Sequence, residues 1–451
     1  MTSILKSAVT RRRSMTAFRS LLAAGILLPA VVGPARATSL LAIRHWSAPD
    51  HTRIVIDLSE PGAFTHRTLT DPDRIAVDVA DGQFKMPIEP IPIDDGAVQR
   101  IRFNRLGSSG KVQVVLDLVH EARYDIFELE KYEHKPDRIV IDVKRPAAST
   151  PTIVPSTPRV EQPLDPGDVG DFLVMVDPGH GGEDAGRRNP DGLREKILAL
   201  EFAQHLVEEI NRKPGYRAEL TRTGDYFVSL DRRRAIAEQR GAQLFVSIHF
   251  NAAPSRQANG TEVFFVSMKG SEDRETRELE KAENSADLVG GLPPRDQDTT
   301  DDLARMLVNL RRSDTVERSQ QLAVHVTDSI SRVDGIQTRK VKQAGFAVLK
   351  SMFIPAILVE VGFLTNDRDV RFVKSSKNRE RYVAALADGI QRYCEEVEVP
   401  RLGWRIHTVG RGESLSEIAA QYAMNLSTLR EVNQISGDRI VVGQKLRVRR
   451  R

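Results

Sequence analysis

Residues Pro146 to Pro166 are mostly Pro, Ser, Thr and Ala, with few apolar residues and no helical or strand spacing among them. A stretch like this has too little to bury to join a core, so it reads as an extended, semi-rigid linker over residues 146–168. The chain must therefore fold as separate bodies on either side. Its 451 residues suggest about three domains of roughly 150 residues each. With 40% hydrophobic and 28% charged residues, the body is expected to be soluble and globular.

Residues 1–37 are the exception. A basic start (Lys6, Arg11, Arg12, Arg13, Arg19) leads into an apolar run from Leu21 to Val32 and the small-residue ending Ala35-Arg36-Ala37. This pattern is expected of a secretory signal cleaved after Ala37, because the apolar run is too short for a spanning helix. A retained membrane anchor is the alternative. Arg11-Arg12-Arg13-Ser14-Met15 is similar to a twin-arginine export signal but lacks its usual Phe, so the export route stays open. Removing the six basic residues of this segment turns the net charge of +4 into −2, which leaves no global basic field for nucleic acid. Cys394 is the only cysteine, so no intrachain disulfide can form and the cysteine cages of structural zinc are excluded. Any metal must rest on His and carboxylates.

Residues 38–145 repeat themselves loosely. Arg53-Ile54-Val55-Ile56-Asp57-Leu58 is echoed by Val112-Gln113-Val114-Val115-Leu116-Asp117-Leu118, and Pro72-Asp73-Arg74-Ile75-Ala76-Val77-Asp78-Val79 by Pro136-Asp137-Arg138-Ile139-Val140-Ile141-Asp142-Val143. Alternating β-branched runs introduced by turn-forming Pro-Asp predict antiparallel strands with one buried face, arranged as two similar sheets in an all-β sandwich. This stretch resembles the AMIN domain, which implies a noncatalytic module that localises cell-wall amidases on peptidoglycan or at the division site. A purely structural β domain is the alternative.

From residue 169 to 398 strands and helices alternate, as in an α/β sheet covered by helices. Strands are expected at Phe172 to Val176, Arg217 to Thr221, Leu244 to Ile248, Thr261 to Val266, Phe346 to Leu349 and Ala356 to Val361. Helices are expected at Glu195 to Asn211, near Asp231 to Arg240, and at Val316 to Val333 and Arg379 to Tyr393. Residues 404–451 carry His407-Thr408-Val409, Gly412-Glu413-Ser414-Leu415 and Ile440-Val441-Val442-Gly443-Gln444-Lys445-Leu446. They resemble a LysM domain, which implies a small α+β module that binds glycans containing N-acetylglucosamine.

Two histidines and two carboxylates stand at element ends in the central region. The first strand runs into Asp177-Pro178-Gly179-His180-Gly181-Gly182-Glu183-Asp184, a glycine-rich turn that presents His180 beyond the strand. Glu195 opens the next helix, His249 follows the strand Leu244 to Ile248, and Glu360 ends the apolar run Ala356 to Val359. Two imidazoles and one carboxylate can make the three-ligand, open site of a catalytic zinc, with Glu360 as general base. Singly, either histidine reads as a capping or core residue, Glu195 as a helix-dipole partner and Glu360 as half of an ion pair. Their joint placement favours the metal reading.

Asp177-Pro178-Gly179-His180-Gly181-Gly182, Glu195-Lys196, Ser247-Ile248-His249-Phe250-Asn251-Ala252 and Glu360-Val361-Gly362-Phe363-Leu364-Thr365-Asn366 together resemble the zinc N-acetylmuramoyl-L-alanine amidases. The resemblance implies His180, Glu195 and His249 as ligands of one zinc ion, Glu360 as catalytic base, and cleavage between the muramic acid lactyl group and L-alanine of peptidoglycan. Asn251 and Asp184 become candidates for positions near the substrate. The polar insertion at about 268–315 resembles the autoinhibitory segment of division-associated amidases, in which a helix occludes the zinc until an activator, here of LytM type, displaces it. Glu283 is the first choice for the capping acid, the alternative being an ordinary solvated helix face. The expectation is a periplasmic enzyme enriched at the septum, with no membrane span once mature. A zinc peptidase and a wall-binding adaptor with a degenerate enzyme domain are the competing readings.

Overall fold

The Ile and Val residues that alternate along the two sequence echoes need a common interior, and they find it in one another. In the computed structural model this interior lies between two sheets built from ten strands: β1 (Thr38–Ser47), β2 (His51–Leu58), β3 (Phe64–Leu69), β4 (Arg74–Val79), β5 (Gly82–Phe84), β6 (Ile91–Pro92), β7 (Val98–Leu106), β8 (Lys111–Leu118), β9 (Tyr124–Leu129) and β10 (Asp137–Lys144). The sheets have the orders β5-β1-β2-β10-β9 and β3-β4-β8-β7-β6. Each echo is split between them, since β2 pairs antiparallel with β10 while β4 pairs with β8. The two repeats therefore interleave, and neither buries its apolar face without the other. Ile54, Ile56, Ile139 and Ile141 from one sheet meet Ile75, Val77, Val114 and Leu116 from the other in a single core.

The structure describes residues 37–449 apart from 108–109, 133–134, 146–171, 268–269, 272, 293–301, 352, 399–403 and 423, with the backbone alone for 302–312. The expected leader up to residue 36, the linker 146–168, Pro293-Pro294 of the insertion, and the terminal Arg450 and Arg451 lie outside the described residues.

The central domain contains β11 (Phe172–Pro178), α1 (Glu195–Asn211), β12 (Tyr216–Leu220), α2 (Leu230–Gln239), β13 (Leu244–Asn251), β14 (Glu262–Val266), α3 (Arg274–Asn284), α4 (Ala286–Val289), α5 (Asp302–Ile330), β15 (Lys342–Ala344), β16 (Ala356–Phe363), α6 (Asp367–Lys374) and α7 (Ser376–Tyr393). Its sheet runs β12-β11-β13-β16-β14-β15. β12, β11, β13 and β16 are parallel, and β14 enters antiparallel to β16. The inner strands β11, β13 and β16 are buried along their whole length, as a sheet covered on both faces requires. One face packs Phe202, Leu206, Leu322, Val326, Leu386 and Ile390 from α1, α5 and α7. The other packs Ala237, Leu279 and Phe346.

Two expectations need correction. The run Phe346 to Leu349 is not a strand: Ala347–Leu349 form a 3-10 turn whose Val348 and Leu349 plug the core, and the strand falls earlier, at β15. A short buried apolar run satisfies either conformation. The helix expected at Val316 to Val333 begins much earlier, in the insertion: α5 runs unbroken from Asp302 to Ile330. Residues 302–330 contain neither Gly nor Pro, so nothing in them stops a helix once started.

The last domain is β17 (Trp404–Thr408), α8 (Leu415–Gln421), α9 (Leu426–Val432) and β18 (Lys445–Arg449), with β17 and β18 antiparallel. Ser414 and Glu417 close a reciprocal capping box at the start of α8. Trp404, Ile418, Leu429 and Leu446 fill its core. No helix among the described residues is long and apolar enough to cross a membrane.

Asp95 ties the β domain together. It accepts hydrogen bonds from Thr52 (2.6 Å), from the amides of Ala97 and Val98 (3.1 Å each) and from Arg145 (2.8 Å). Burial alone would raise its carboxyl, but these partners and Ser47 hold it at about 2, against 3.8 ordinarily. A depressed folded pKa contributes stability above the unfolded value, and that contribution is lost as pH falls toward 2. Asp95→Asn is therefore expected to destabilise the β domain by about 1 kcal/mol at pH 7 after allowance for solvent screening. Thermal melts from pH 7 down to about 2 should show the gap from wild type closing below about pH 4.

Candidate metal centre

The centre begins at the C-terminal end of β11. Asp177 is fully buried and would be costly there as a lone charge. It is met by Arg233 Nη1 at 2.8 Å, Thr221 Oγ1 at 2.5 Å and Ser247 Oγ at 2.7 Å. Arg233 extends the same guanidinium to the carbonyl of His180 at 2.7 Å, and Arg222 holds the carbonyls of Gly179 (2.7 Å) and Pro178 (3.0 Å). This frame keeps His180 at φ 58°, a left-handed conformation that a non-glycine residue adopts only when its surroundings enforce it. Close approach explains Gly179, where a Cβ would lie 2.4 Å from the His249 ring.

Four side chains then converge. Glu195 Oε1 lies 2.9 Å from His180 Nε2 and 3.1 Å from His249 Nδ1. From α3, Glu283 Oε2 reaches 3.3 Å from His180 Nε2 and 3.2 Å from His249 Nδ1. The ligand atoms of these four residues all lie within 4.8 Å of one another, and each residue is buried. Among the described residues His180 Nε2 and Glu283 Oε2 have no hydrogen-bond partner of acceptable geometry. They approach one another without donor–acceptor alignment, as donors gathered around a shared cation do. Glu195 is oriented from behind by the amides of Phe250 (2.9 Å) and Arg187 (2.7 Å), and His180 Nδ1 by Asp184 at 2.7 Å. That last bond leaves Nε2 of His180 for the centre.

The electrostatics are those of a crowded anionic cage. Burial would lower both imidazoles, yet Asp184, Glu195 and Glu283 hold His180 well above its usual range, and Glu283 with Glu195 holds His249 at about 10. Burial opposes the charged form of Glu195, but the imidazoles keep it at about 2. Glu283 is likewise held well below the carboxylate range. Positive charge is what this cage calls for.

Glu360 stands beside the cage. It pairs in register with His249 across β13 and β16, is fully buried, and neither carboxylate oxygen has a partner among the described residues. Burial pushes its carboxyl well above the ordinary range, and the charges of Glu195, Glu283 and Glu262 add to the push against His249. Asn251 donates to Glu262 at 3.1 Å, so it borders Glu360 through the strand-paired Glu262. With α3 packed there little room remains: a cavity of about 10 Å³ lined by His180, His249, Glu283, Asn284 and Phe346 is no larger than one water needs.

Sequence reasoning missed Arg222, Arg233 and Glu183. Arg233 lies in Asp231-Arg232-Arg233-Arg234, a run that looks like a solvated helix face, and only its contact with Asp177 reveals the role. Glu183 is 3% exposed and bound by residues far away in sequence, which no local signal reports.

Three family models match the chain in order: the AMIN domain over residues 42–143, N-acetylmuramoyl-L-alanine amidase over 174–392 and the LysM domain over 407–449. The N-acetylmuramoyl-L-alanine amidase AmiA of Salmonella typhimurium is 39% identical over 221 residues, which cover 49% of this chain and 75% of that protein. The chain belongs to the N-acetylmuramoyl-L-alanine amidase family. The amidase AmiC of Neisseria meningitidis serogroup B is 28% identical over 416 residues, 87% of this chain and 98% of that protein. Among solved structures, the amidase AmiC2 of Nostoc punctiforme aligns over 50% of this chain and 99% of that chain, with 28% identity and a TM-score of 0.37. The chain is thus a peptidoglycan amidase flanked by two peptidoglycan-binding domains.

The buried frame gives a stability test for the amidase. Arg233→Met strands the Asp177 charge and is expected to cost about 3–5 kcal/mol in denaturant unfolding. Adding Asp177→Asn should recover a large part of that loss.

Proposed function

We propose that this amidase is zinc-dependent, that His180, Glu195 and His249 hold the ion, and that the lid helix keeps it at rest through Glu283. The observation that carries this reading is the convergence of four buried donors within 4.8 Å, one of them delivered by an inserted helix. Two imidazoles with carboxylate oxygens are a donor set that suits zinc, and one bound protein oxygen too many is what a restrained catalytic site would show. When bound, zinc supplies Lewis acidity toward the scissile carbonyl and makes a water nucleophilic near neutral pH.

The chain's own groups supply the rest. Glu360, whose buried carboxyl holds a proton readily, takes the proton of the attacking water and passes it to the departing amine of L-alanine. Asp184 fixes the His180 ring, and Asn251 with Glu262 flanks the proton carrier. Glu283 occupies the position that the substrate carbonyl or the water requires, so hydrolysis waits for α3 to leave. An activator of the LytM type that draws α3 away would switch the enzyme on. Export by the leader would bring the enzyme to the periplasm, where the AMIN and LysM domains raise its local concentration on the wall without new active-site contacts. Septal wall splitting is the setting in which such restraint is useful.

Digestion of purified peptidoglycan by the mature full chain tests this. Mass spectrometry is expected to find intact stem peptides released from sugar, whereas fragments cut within the stem would indicate a peptidase. Zinc chelation should abolish the activity and zinc should restore it. Glu360→Gln is expected to lower kcat by 10²- to 10⁴-fold on the order of a general-base loss, with zinc content unchanged. Glu283→Ala should raise the basal rate, and an unchanged rate would refute occlusion by this residue.

A further inference from the structure

The β domain touches the centre through one buried carboxylate and the end of the lid. Glu183 follows the glycine pair of the His180 loop, and its side chain is 1% exposed. Three cations of the β domain close on it: Lys135 Nζ at 2.6 Å from Oε1, Arg138 Nη1 at 3.3 Å from the same oxygen, and Arg44 on Oε2. Lys135 also donates to the Glu183 carbonyl at 2.6 Å.

The same side reaches the C-terminal end of the lid. Lys135 and Arg138 lie 3.4 and 3.5 Å from the carbonyl of Val289, and Arg53 donates to the carbonyl of Gly290. A Cβ at Gly291 would stand 2.9 Å from Leu129 and 4.0 Å from Val140, so the chain lies directly on β9 and β10 there. The covered surface is the outer face of the sheet β5-β1-β2-β10-β9. Along β2 and β10 the core takes Ile54, Ile56, Ile139 and Ile141, while the opposite-facing Arg53, Val55, Arg138 and Val140 are nonetheless 6, 1, 2 and 1% exposed. The cations are set in place by their own domain, Arg53 by Asp142 at 2.7 Å and Arg44 by Asp57. Trp46 and Ala48 extend the contact to Tyr226 and Val228, beside the same loop.

We infer that the β domain is the latch of the lid: Lys135 and Arg138 bridge the metal loop at Glu183 to the carbonyl of Val289, and Arg53 holds the next carbonyl, of Gly290, so the lid leaves only when this sheet face undocks. The inference rests on the reading that α3 occludes the centre. A lid tethered at its end by a neighbouring domain opens with the free energy of that docking added to its own. Whatever engages this face of the β domain, the wall polymer included, is thereby coupled to the active site.

Lys135 tests the latch, because it stands between β9 and β10 in an isolated bridge with Tyr132, outside the sandwich core, so its replacement is expected to leave the domain folded. In the zinc-loaded full chain, hydrogen exchange of residues 274–292 is measured for wild type, Lys135→Met and Lys135→Glu. Exchange of the lid should rise about tenfold or more in Lys135→Met, as expected for loss of a buried charged hydrogen bond, and further in Lys135→Glu. Exchange within β2 and β10, on their inner core amides, should stay slow, and basal release of stem peptide should rise in the same order. Lid exchange at the wild-type rate in both variants overturns the latch. Glu283→Ala separates the two readings. If it leaves basal release unchanged while Lys135→Glu still loosens the lid, occlusion fails and docking stands. If it raises release while Lys135→Glu does nothing, the latch fails and occlusion stands.

Discussion

A carboxylate from an inserted helix lies between two buried imidazoles, and the rest of the molecule is arranged around that contact. Glu283 can reach His180 and His249 only because β11 and β13 are adjacent parallel strands whose C-terminal ends open on the same side. His180 can point there only because Arg222 and Arg233 pin its loop from below. Those arginines in turn are tolerable in the interior because Asp177 and a set of loop carbonyls satisfy them. Each layer answers a cost incurred by the one above it.

The same contact explains the division of labour among the carboxylates. Glu195 and Glu283 face the imidazoles and are held ionised. Glu360, one strand over and without a hydrogen-bonding partner among the described residues, is pushed the other way. Carboxyl groups in neighbouring positions are thus driven to opposite protonation preferences by burial and by the sign of the charge beside them, the pattern expected where one group binds a cation and another carries a proton.

Much of this was legible in the sequence. The periodicity of α1 gave its limits, Glu195–Asn211, because an amphipathic stripe leaves little freedom. The placement of His180, His249, Glu195 and Glu360 at element ends pointed to a shared site at the edge of the sheet. What escaped has a common cause. The 3-10 turn at Ala347–Leu349 is decided by packing that a short apolar run does not encode. Arg233 acts through Asp177, 56 residues away, Arg222 through Pro178, 44 residues away, and Glu183 through Lys135, 48 residues away, which local pattern cannot report. The interleaving of the two β repeats was equally hidden, since either echo could have formed a sheet of its own.

Anomalous scattering at the zinc edge from crystals of the zinc-loaded full chain tests the contact between Glu283 and the two imidazoles most directly. The expected result is a single strong peak bounded by His180 Nε2, His249 Nδ1 and oxygens of Glu195 and Glu283, with α3 in place. A peak elsewhere, or at this site with Glu283 turned away beneath a closed lid, would contradict it.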